Sequence, residues 1–381
     1  MTTQTKDDSG CTQVATPTEA EATSKGTTDM AELRKRIDAI DTQILTLIND
    51  RAGCAIEVGE YKKQHNLEFY APEREQQVLE ALGGKNKGPF PTPVLRHIFR
   101  EIMSASLSLE KPLRIAFLGP PATFTHQAGL QHFGLSGEFL PRKDIAEVFS
   151  EVERGKADYG VVPVESTAEG AVDHTLDLLV SSKLKICSEV MLEVTSSLLN
   201  KTGDIKDIKK ICSHPHALAQ CSKWLREKLS GIPIVEVSST ATAARMAEED
   251  KSVAAIAGQA AANMYGLRVV EDGIENVPNN YTRFLVIGTK ECGKTGKDKT
   301  SVVCSIKDGP GALSAMLAPF ASRDINLTKI ESRPLKTKAW EYVFLLDIEG
   351  HATDANVREA LLELEGLCSF FKVLGSYPKA K

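Results

Sequence analysis

Across residues 33–62, apolar side chains recur every three or four positions, at Leu33, Ile37, Ile40, Ile44, Leu47, Ile48, Ala55 and Val58. That is the period of one amphipathic helix. Asp29 is placed to cap it, so a helix is predicted from about residue 29 to about residue 64. Pro72 suits the first position of a second helix, which fades at Gly83-Gly84. A third helix is predicted over 93–110, with Leu95, Ile98, Phe99, Ile102, Met103 and Ser106 inward. Beyond Lys111-Pro112 the period shortens. β-rich runs at 114–118, 159–164, 209–213, 234–237, 253–257 and 283–287 alternate with helical runs, which predicts an α/β block with largely parallel sheets. A Gly- and Lys-rich linker is predicted over 291–300. After it come a strand at 301–306, a helix at 311–322, strands at 326–332 and 340–348, a helix at 354–364 and a strand at 369–374. That βαββαβ order is ferredoxin-like. The predicted fold class is therefore multidomain: an all-α domain (29–111), an α/β domain (112–290), the linker, and a ferredoxin-like module (301–378).

Composition removes several alternatives. The chain has 381 residues, enough for two or three domains, with 42% hydrophobic and 25% charged residues. A net charge of −5 gives no reason to expect nucleic acid, and no apolar run approaches a membrane span. The eight cysteines form no CxxC pair or metal-ligand pattern and read as reduced thiols, so a cytoplasmic location is expected, with no metal and no cofactor. Residues 1–28 are rich in Thr, Ser, Asp and Glu without apolar period, and are expected to form a disordered tail rather than a targeting segment.

The helical block contains an energetic anomaly. At 100° per residue, Arg51 and Lys62 fall within about 20° of each other, inside the apolar stripe. A buried cation needs an anion. Glu75 lies on the face of Val78 and Leu82, and Glu110 on that of Phe99 and Met103. Two accounts remain open: the acids simply pair with the bases, or bases and acids line a pocket for a small anion. Arg51 and Lys62 are about 16 Å apart along the axis, close enough for both side chains to reach one molecule. Arg34 is about 25 Å from Arg51 and about 100° round the helix, and cannot easily join them from its own helix. A second copy running antiparallel can supply it, so an intertwined homodimer is expected.

In the α/β block, hydroxyl residues stand where helices should begin: Thr123-Phe124-Thr125, Ser213-His214-Pro215-His216 and Ser238-Ser239-Thr240. Each can be a plain N-cap. Several such turns at strand carboxyl ends would also form a dicarboxylate site. His214 and His216 have no third ligand at suitable spacing, so no metal is predicted there. In the last module, Asp308-Gly309-Pro310-Gly311-Ala312-Leu313 leads into a helix and can expose backbone N–H groups to a ligand.

Leu33-Arg34, Asn49-Asp50-Arg51, Val58-Gly59-x-x-Lys62, Pro72-Glu73-Arg74-Glu75 and Arg100-Glu101-Ile102-Met103 through Glu110 resemble the all-helical chorismate mutases. The resemblance implies rearrangement of chorismate to prephenate. Arg34 from the partner chain and Arg51 would hold the two carboxylates, with Arg74 and Ser106 as further contacts. Lys62 and Glu110 would bind the ether oxygen, where negative charge grows, and Glu75 would accept the substrate hydroxyl. Glu110 can donate to that oxygen only when protonated.

Asn280-Tyr281-Thr282-Arg283-Phe284, with Gly119-Pro120-x-x-Thr123-Phe124-x-His126-Gln127-Ala128, Val162-Pro163-Val164-Glu165, Ala219-Gln220-Cys221 and Tyr265-Gly266-Leu267, resembles prephenate dehydratase. That family implies two α/β subdomains around a cleft, similar to periplasmic binding proteins, and conversion of prephenate to phenylpyruvate. Thr282 would donate to the leaving hydroxyl. Thr123, Ser166, Ser213 and Gln220 would contact substrate. Arg283 either clamps a carboxylate or makes a structural salt bridge. Ser166 and His216 depart from the family's usual Asn and Gln.

Asn326-Leu327, Glu331-Ser332-Arg333-Pro334 and Lys372-Val373-Leu374-Gly375-Ser376-Tyr377-Pro378 make the last module similar to the ACT domain of prephenate dehydratases. That implies phenylalanine binding between chains and feedback inhibition, with Gly311, Ala312, Leu313, Asn326, Leu327 and Ser332 at the site. The expected partners are chorismate, prephenate, phenylalanine and further copies of the chain, with no nucleic acid and no membrane. Rival readings are an arogenate-preferring dehydratase, a non-catalytic amino-acid sensor, and a helical block kept only for dimerisation.

Overall fold

The computed structural model describes residues 29–65, 70–168, 170–307, 309–334 and 342–380. The predicted tail, Asp308 of the glycine loop and the start of the strand predicted at 340 lie outside the described residues. The chain divides after Gly53 into two compact units.

The first unit holds most of α1 (Met30–Gln64), a continuous helix of 35 residues. Asp29 caps it, its Oδ1 accepting from the Ala31 N–H at 3.2 Å. Ile37, Ile44 and Leu47 of the apolar stripe are 55%, 49% and 66% exposed. Arg34 is exposed and Arg51 half-buried.

The second unit begins with the end of α1. It continues through α2 (Pro72–Lys85) and α3 (Thr92–Glu110), each with a proline in its first turn. Ser104 and Ser106 are buried on α3, whereas Ile98, predicted inward, is exposed.

The α/β block forms two lobes. The first comprises β1 (Arg114–Leu118), α4 (Phe124–Phe133), β2 (Glu138–Arg142), α5 (Ile145–Glu153), β3 (Tyr159–Ser166), the short β4 (Gly170–Ala171), α6 (Asp173–Ser181) and β5 (Lys185–Glu193). The second comprises β6 (Ser197–Asn200), a 3₁₀ turn (Ile205–Asp207), β7 (Lys210–Ser213), α7 (Pro215–Gln220), α8 (Ser222–Lys228), β8 (Ile234–Glu236), α9 (Thr240–Glu249), β9 (Val253–Ala257), α10 (Gln259–Tyr265) and β10 (Arg268–Glu271). The chain then returns to the first lobe as β11 (Tyr281–Gly288), inserted between β3 and β5 in the order β2-β1-β3-β11-β5. The second sheet runs β10-β6-β9-β7-β8.

The sheets are mixed rather than largely parallel. β11 is antiparallel to both β3 and β5, and β6 is antiparallel to β9 and β10. The strands that carry the chain out of and back into the first lobe impose this. In the second lobe Ala241, Ala243, Ala244 and Ala247 of α9 are fully buried with Ala255 and Ala257 of β9. Small side chains on both surfaces let helix and sheet close tightly.

The ferredoxin-like module consists of β12 (Asp298–Ile306), α11 (Ala312–Ala321), β13 (Leu327–Pro334), β14 (Tyr342–Glu349), α12 (Ala355–Leu367) and β15 (Cys368–Pro378). Its sheet is antiparallel in the order β13-β14-β12-β15. The predicted linker is shorter than expected: β12 already begins at Asp298, whose carboxylate accepts from the Thr295 and Gly296 N–H groups at 2.9 Å.

The module shares a core with the first lobe. Val303, Val343, Leu345, Leu374 and Tyr377 pack in one buried cluster with Val164, Ile186 and Leu285. Lys372 Nζ donates to the last carbonyls of α6, Leu179 O at 2.8 Å and Val180 O at 3.1 Å, where a cation complements the helix dipole.

Candidate active sites

The two lobes face each other across a cavity of about 450 Å³, the size of a small-molecule site. The three hydroxyl-rich turns predicted from sequence all reach it, through Thr123-Phe124-Thr125, His214 with His216, and Ser238-Ser239-Thr240. Thr123 caps α4, donating to Leu118 O at 3.1 Å and accepting from the His126 N–H. Ser239 caps α9, accepting from the Thr242 N–H at 3.0 Å. The His214 and His216 rings stack with centroids 5.0 Å apart.

Thr282 opens onto the cavity from β11, directly across from Ser166 of β3. Beside it, Asn280 joins the two lobes. Its Oδ1 accepts from Thr167 Oγ1 at 3.1 Å and Ser166 Oγ at 3.4 Å, and its Nδ2 donates to Gln220 Oε1 at 3.4 Å. Lys143, from the turn between β2 and α5, adds a cation to the rim. Asn280, Lys143 and Ser196 were not nominated from sequence. Asn280 stood in the quoted motif, and Lys143 precedes the N-cap Asp144, the same signal that marked the other turns. Among the described residues, the cavity lining includes Thr, Ser, His, Asn, Gln and Lys but neither Asp nor Glu. A surface of donors, helix N-termini and one cation favours a dianion.

Two nominated residues lie elsewhere. Ser213 is fully buried and donates to Ile256 O at 2.6 Å, tying β7 to β9. Arg283 points to the opposite face of its sheet. Its Nε bonds Glu189 Oε2 at 2.7 Å, one terminal nitrogen bonds Asp347 Oδ2 at 2.6 Å, and the other bonds Tyr377 Oη at 2.9 Å. The structural alternative for Arg283 therefore holds, because side chains alternate along a strand and Thr282 takes the cleft side. Burial alone would lower its pKa, but Tyr377, Asp347 and Glu189 outweigh it and raise the pKa.

In the helical block, Lys62 Nζ lies 3.2 Å from Glu110 Oε2. Gly59, the one buried residue of α1, makes this approach possible, since a Cβ there would sit 2.9 Å from Glu110 Cγ. Ser106, one turn before Glu110, is buried and donates to Ile102 O at 2.7 Å. Arg74 is exposed. Glu75 lies 3.5 Å from Arg100 Nε and beside Tyr70, and burial pushes its carboxyl up to about 7. It faces a cavity of about 190 Å³ shared with Gln131, His132 and Glu189.

Of the residues nominated for phenylalanine, Gly311 adopts a left-handed φ of 77° at the N-cap of α11. Leu313, Asn326 and Ser332 are exposed and Leu327 is half-buried.

Comparison with known proteins assigns each segment. Family models match chorismate mutase type II over residues 33–111, prephenate dehydratase over 115–292 and the ACT domain over 300–366. A bifunctional chorismate mutase/prephenate dehydratase from Aquifex aeolicus is 49% identical over 92% of this chain and 98% of its own. One from Neisseria gonorrhoeae is 47% identical over 91% and 96%. Among solved structures, prephenate dehydratase from Arthrobacter aurescens in complex with L-Phe is 38% identical, with TM-score 0.65, over 70% of this chain and 90% of that one.

A helical isomerase segment, a two-lobed lyase and an ACT module on one chain define a multifunctional enzyme of aromatic amino-acid biosynthesis. The chain belongs to the bifunctional chorismate mutase/prephenate dehydratases. It is an enzyme with both activities.

Proposed function

We propose that this enzyme converts chorismate to prephenate at a site completed by two chains, then prephenate to phenylpyruvate in the cleft, under feedback control by phenylalanine. Thr282 facing Ser166 in a cleft lined by hydroxyls, Lys143 and helix N-termini carries the dehydratase assignment. Prephenate is a dicarboxylate, and Lys143, the hydroxyls and the N-termini of α4 and α9 suit its two charges. Thr282 donates to the departing hydroxyl, and aromatisation drives the loss of CO₂ and water. Thr123, Ser166 and Gln220 hold the substrate. Asn280 fixes Ser166 and Gln220 relative to each other.

For the mutase, Lys62 and Glu110 meet at the ether oxygen, and Arg51 with the partner chain's copy of Arg34 holds the carboxylates. Arg74 and Ser106 line the site, and Glu75 accepts the substrate hydroxyl. The exposed stripe of α1 supports a homodimer or higher assembly, because such a stripe is unfavourable in water. The domains are 29–111, 112–290 and 301–378. Phenylalanine binds the ACT module through Gly311, Ala312, Leu313, Asn326, Leu327 and Ser332, where a second chain completes the pocket. The Arthrobacter aurescens relative solved with L-Phe supports that ligand. Seven described cysteines are free thiols, which fits the cytoplasm.

A coupled assay from chorismate to phenylpyruvate, with and without phenylalanine, tests the whole reading. Phenylpyruvate formation that phenylalanine suppresses is expected. Turnover that stops at prephenate would remove the dehydratase assignment.

A further inference from the structure

Thr282 and Ser166 are cross-strand partners on the cleft face of the first lobe. The next pair along the same two strands is Arg283 opposite Glu165. Alternation turns this second pair to the other face, against the ACT sheet. There Arg283 bonds Asp347 of β14 and Tyr377 of β15, and it shares Glu189 with Lys299 of β12, whose Nζ lies 2.8 Å from Glu189 Oε2. Glu165 Oε2 lies 2.8 Å from Lys329 Nζ of β13 and 3.8 Å from Arg283. Ser301 of β12 closes the cluster by bonding Asp347 and Tyr377. Every strand of the ACT sheet thus contributes to a buried charged cluster lying one residue from the cleft pair.

We propose that Arg283 and Glu165 are positioning residues that fix the Thr282–Ser166 pair, and that the ACT sheet sets their position and so passes phenylalanine occupancy to the cleft. The regulatory half rests on the phenylalanine reading above. Burial makes the link stiff. Asp347 and Glu189 are almost fully buried, so neither can exchange its partner for water without a large cost. A displacement of the ACT sheet must therefore either drag β11 and β3 or break an ion pair. Small misplacement of a donor is enough to slow chemistry strongly.

Three full-length variants test this: Glu165→Gln, Asp347→Asn and Lys372→Met. Glu165 is half-exposed, so its variant should fold even if Asp347→Asn does not. Lys372→Met removes a different anchor between the same two domains without touching the cluster. Phenylalanine binding and the melting transition of each variant report folding of the substituted domains, and mutase turnover reports the helical domain. Glu165→Gln and Asp347→Asn are expected to lower dehydratase kcat about tenfold with KM changed less than about threefold, the pattern of a misplaced group rather than lost binding. Calorimetric phenylalanine affinity should stay within about threefold, while inhibition at saturating phenylalanine falls below about twofold. Lys372→Met should keep wild-type kcat and inhibition.

Unchanged kcat and inhibition in both cluster variants would overturn the proposal, as would an equal loss in Lys372→Met. Wild-type enzyme that binds phenylalanine without inhibition would remove the feedback reading instead. The positioning role would then stand or fall on the kcat loss alone.

Discussion

A threonine hydroxyl is a poor acid, so Thr282 contributes by where it points. Its strand presents it to the cleft opposite Ser166, where it can donate to a departing oxygen as charge develops. Thr282→Ala should lower dehydratase kcat about a hundredfold, the usual cost of one such donor, and leave mutase turnover intact. Phenylpyruvate absorbance and chorismate consumption, measured on one preparation, check both. Glu110 carries the matching claim in the helical block. Glu110→Gln keeps a polar side chain with an N–H donor beside Lys62, so it should retain mutase turnover that Glu110→Ala loses about a hundredfold. Near-normal turnover in Glu110→Ala would remove Glu110 from the ether oxygen. At this scale the sequence showed which residue types mattered better than it showed which way they face. Thr282 and Arg283 are adjacent and necessarily point to opposite sides, but only partners far along the chain, Asp347, Glu189 and Tyr377, reveal which side faces away from the cleft. Ser213 looked like its neighbours at the head of a helix, yet its hydroxyl is taken by a carbonyl 43 positions away.

Elements with one clean period were legible, and elements whose buried face is polar were not. The long helix and the six nominated strand regions appear close to the predicted bounds. β5 escaped because Ser188 and Glu189 interrupt its apolar pattern, and both are buried. Glu189 can be there only because Arg283 and Lys299 neutralise it. β2 holds a proline and two charged residues, and β6 and β10 are only four residues each. Missing these strands hid the antiparallel pairings. The α2–α3 pair shows the same tension between burial and charge. Burial pushes the Glu75 carboxyl up to about 7, against the opposing pull of Arg100. An acid raised in the folded state keeps its proton longer than it does in the unfolded chain. Stability should therefore fall as pH rises from about 4.5 to about 7, and the penalty is complete above that window. Glu75→Gln should remove this dependence. Relative to the wild type, the variant should gain roughly 1–3 kcal/mol between pH 4.5 and pH 8. Thermal melting at those two pH values reads the difference, and parallel melting curves for both proteins would contradict it.

For the whole molecule, the geometry of one helix decides how many chains build a mutase site. α1 is unbroken from Met30 to Gln64, so Arg34 and Arg51 are held about 25 Å apart, beyond the reach of one small dianion. If an antiparallel partner supplies Arg34, each site in a dimer takes Arg51 from one chain and Arg34 from the other. Arg34→Ala and Arg51→Ala should each abolish most mutase turnover, since each removes a carboxylate clamp from every site. Mixing the two inactive variants after dissociation should then restore activity. In a mixed dimer, the Arg34→Ala chain still offers Arg51 and the Arg51→Ala chain still offers Arg34, so one site is fully native and the other lacks both. Random pairing makes about half of the dimers mixed, so recovery should approach about a quarter of wild-type mutase activity. Dehydratase activity should be unaffected throughout, because its cleft lies within one chain. Sites complete within one chain would show no recovery on mixing.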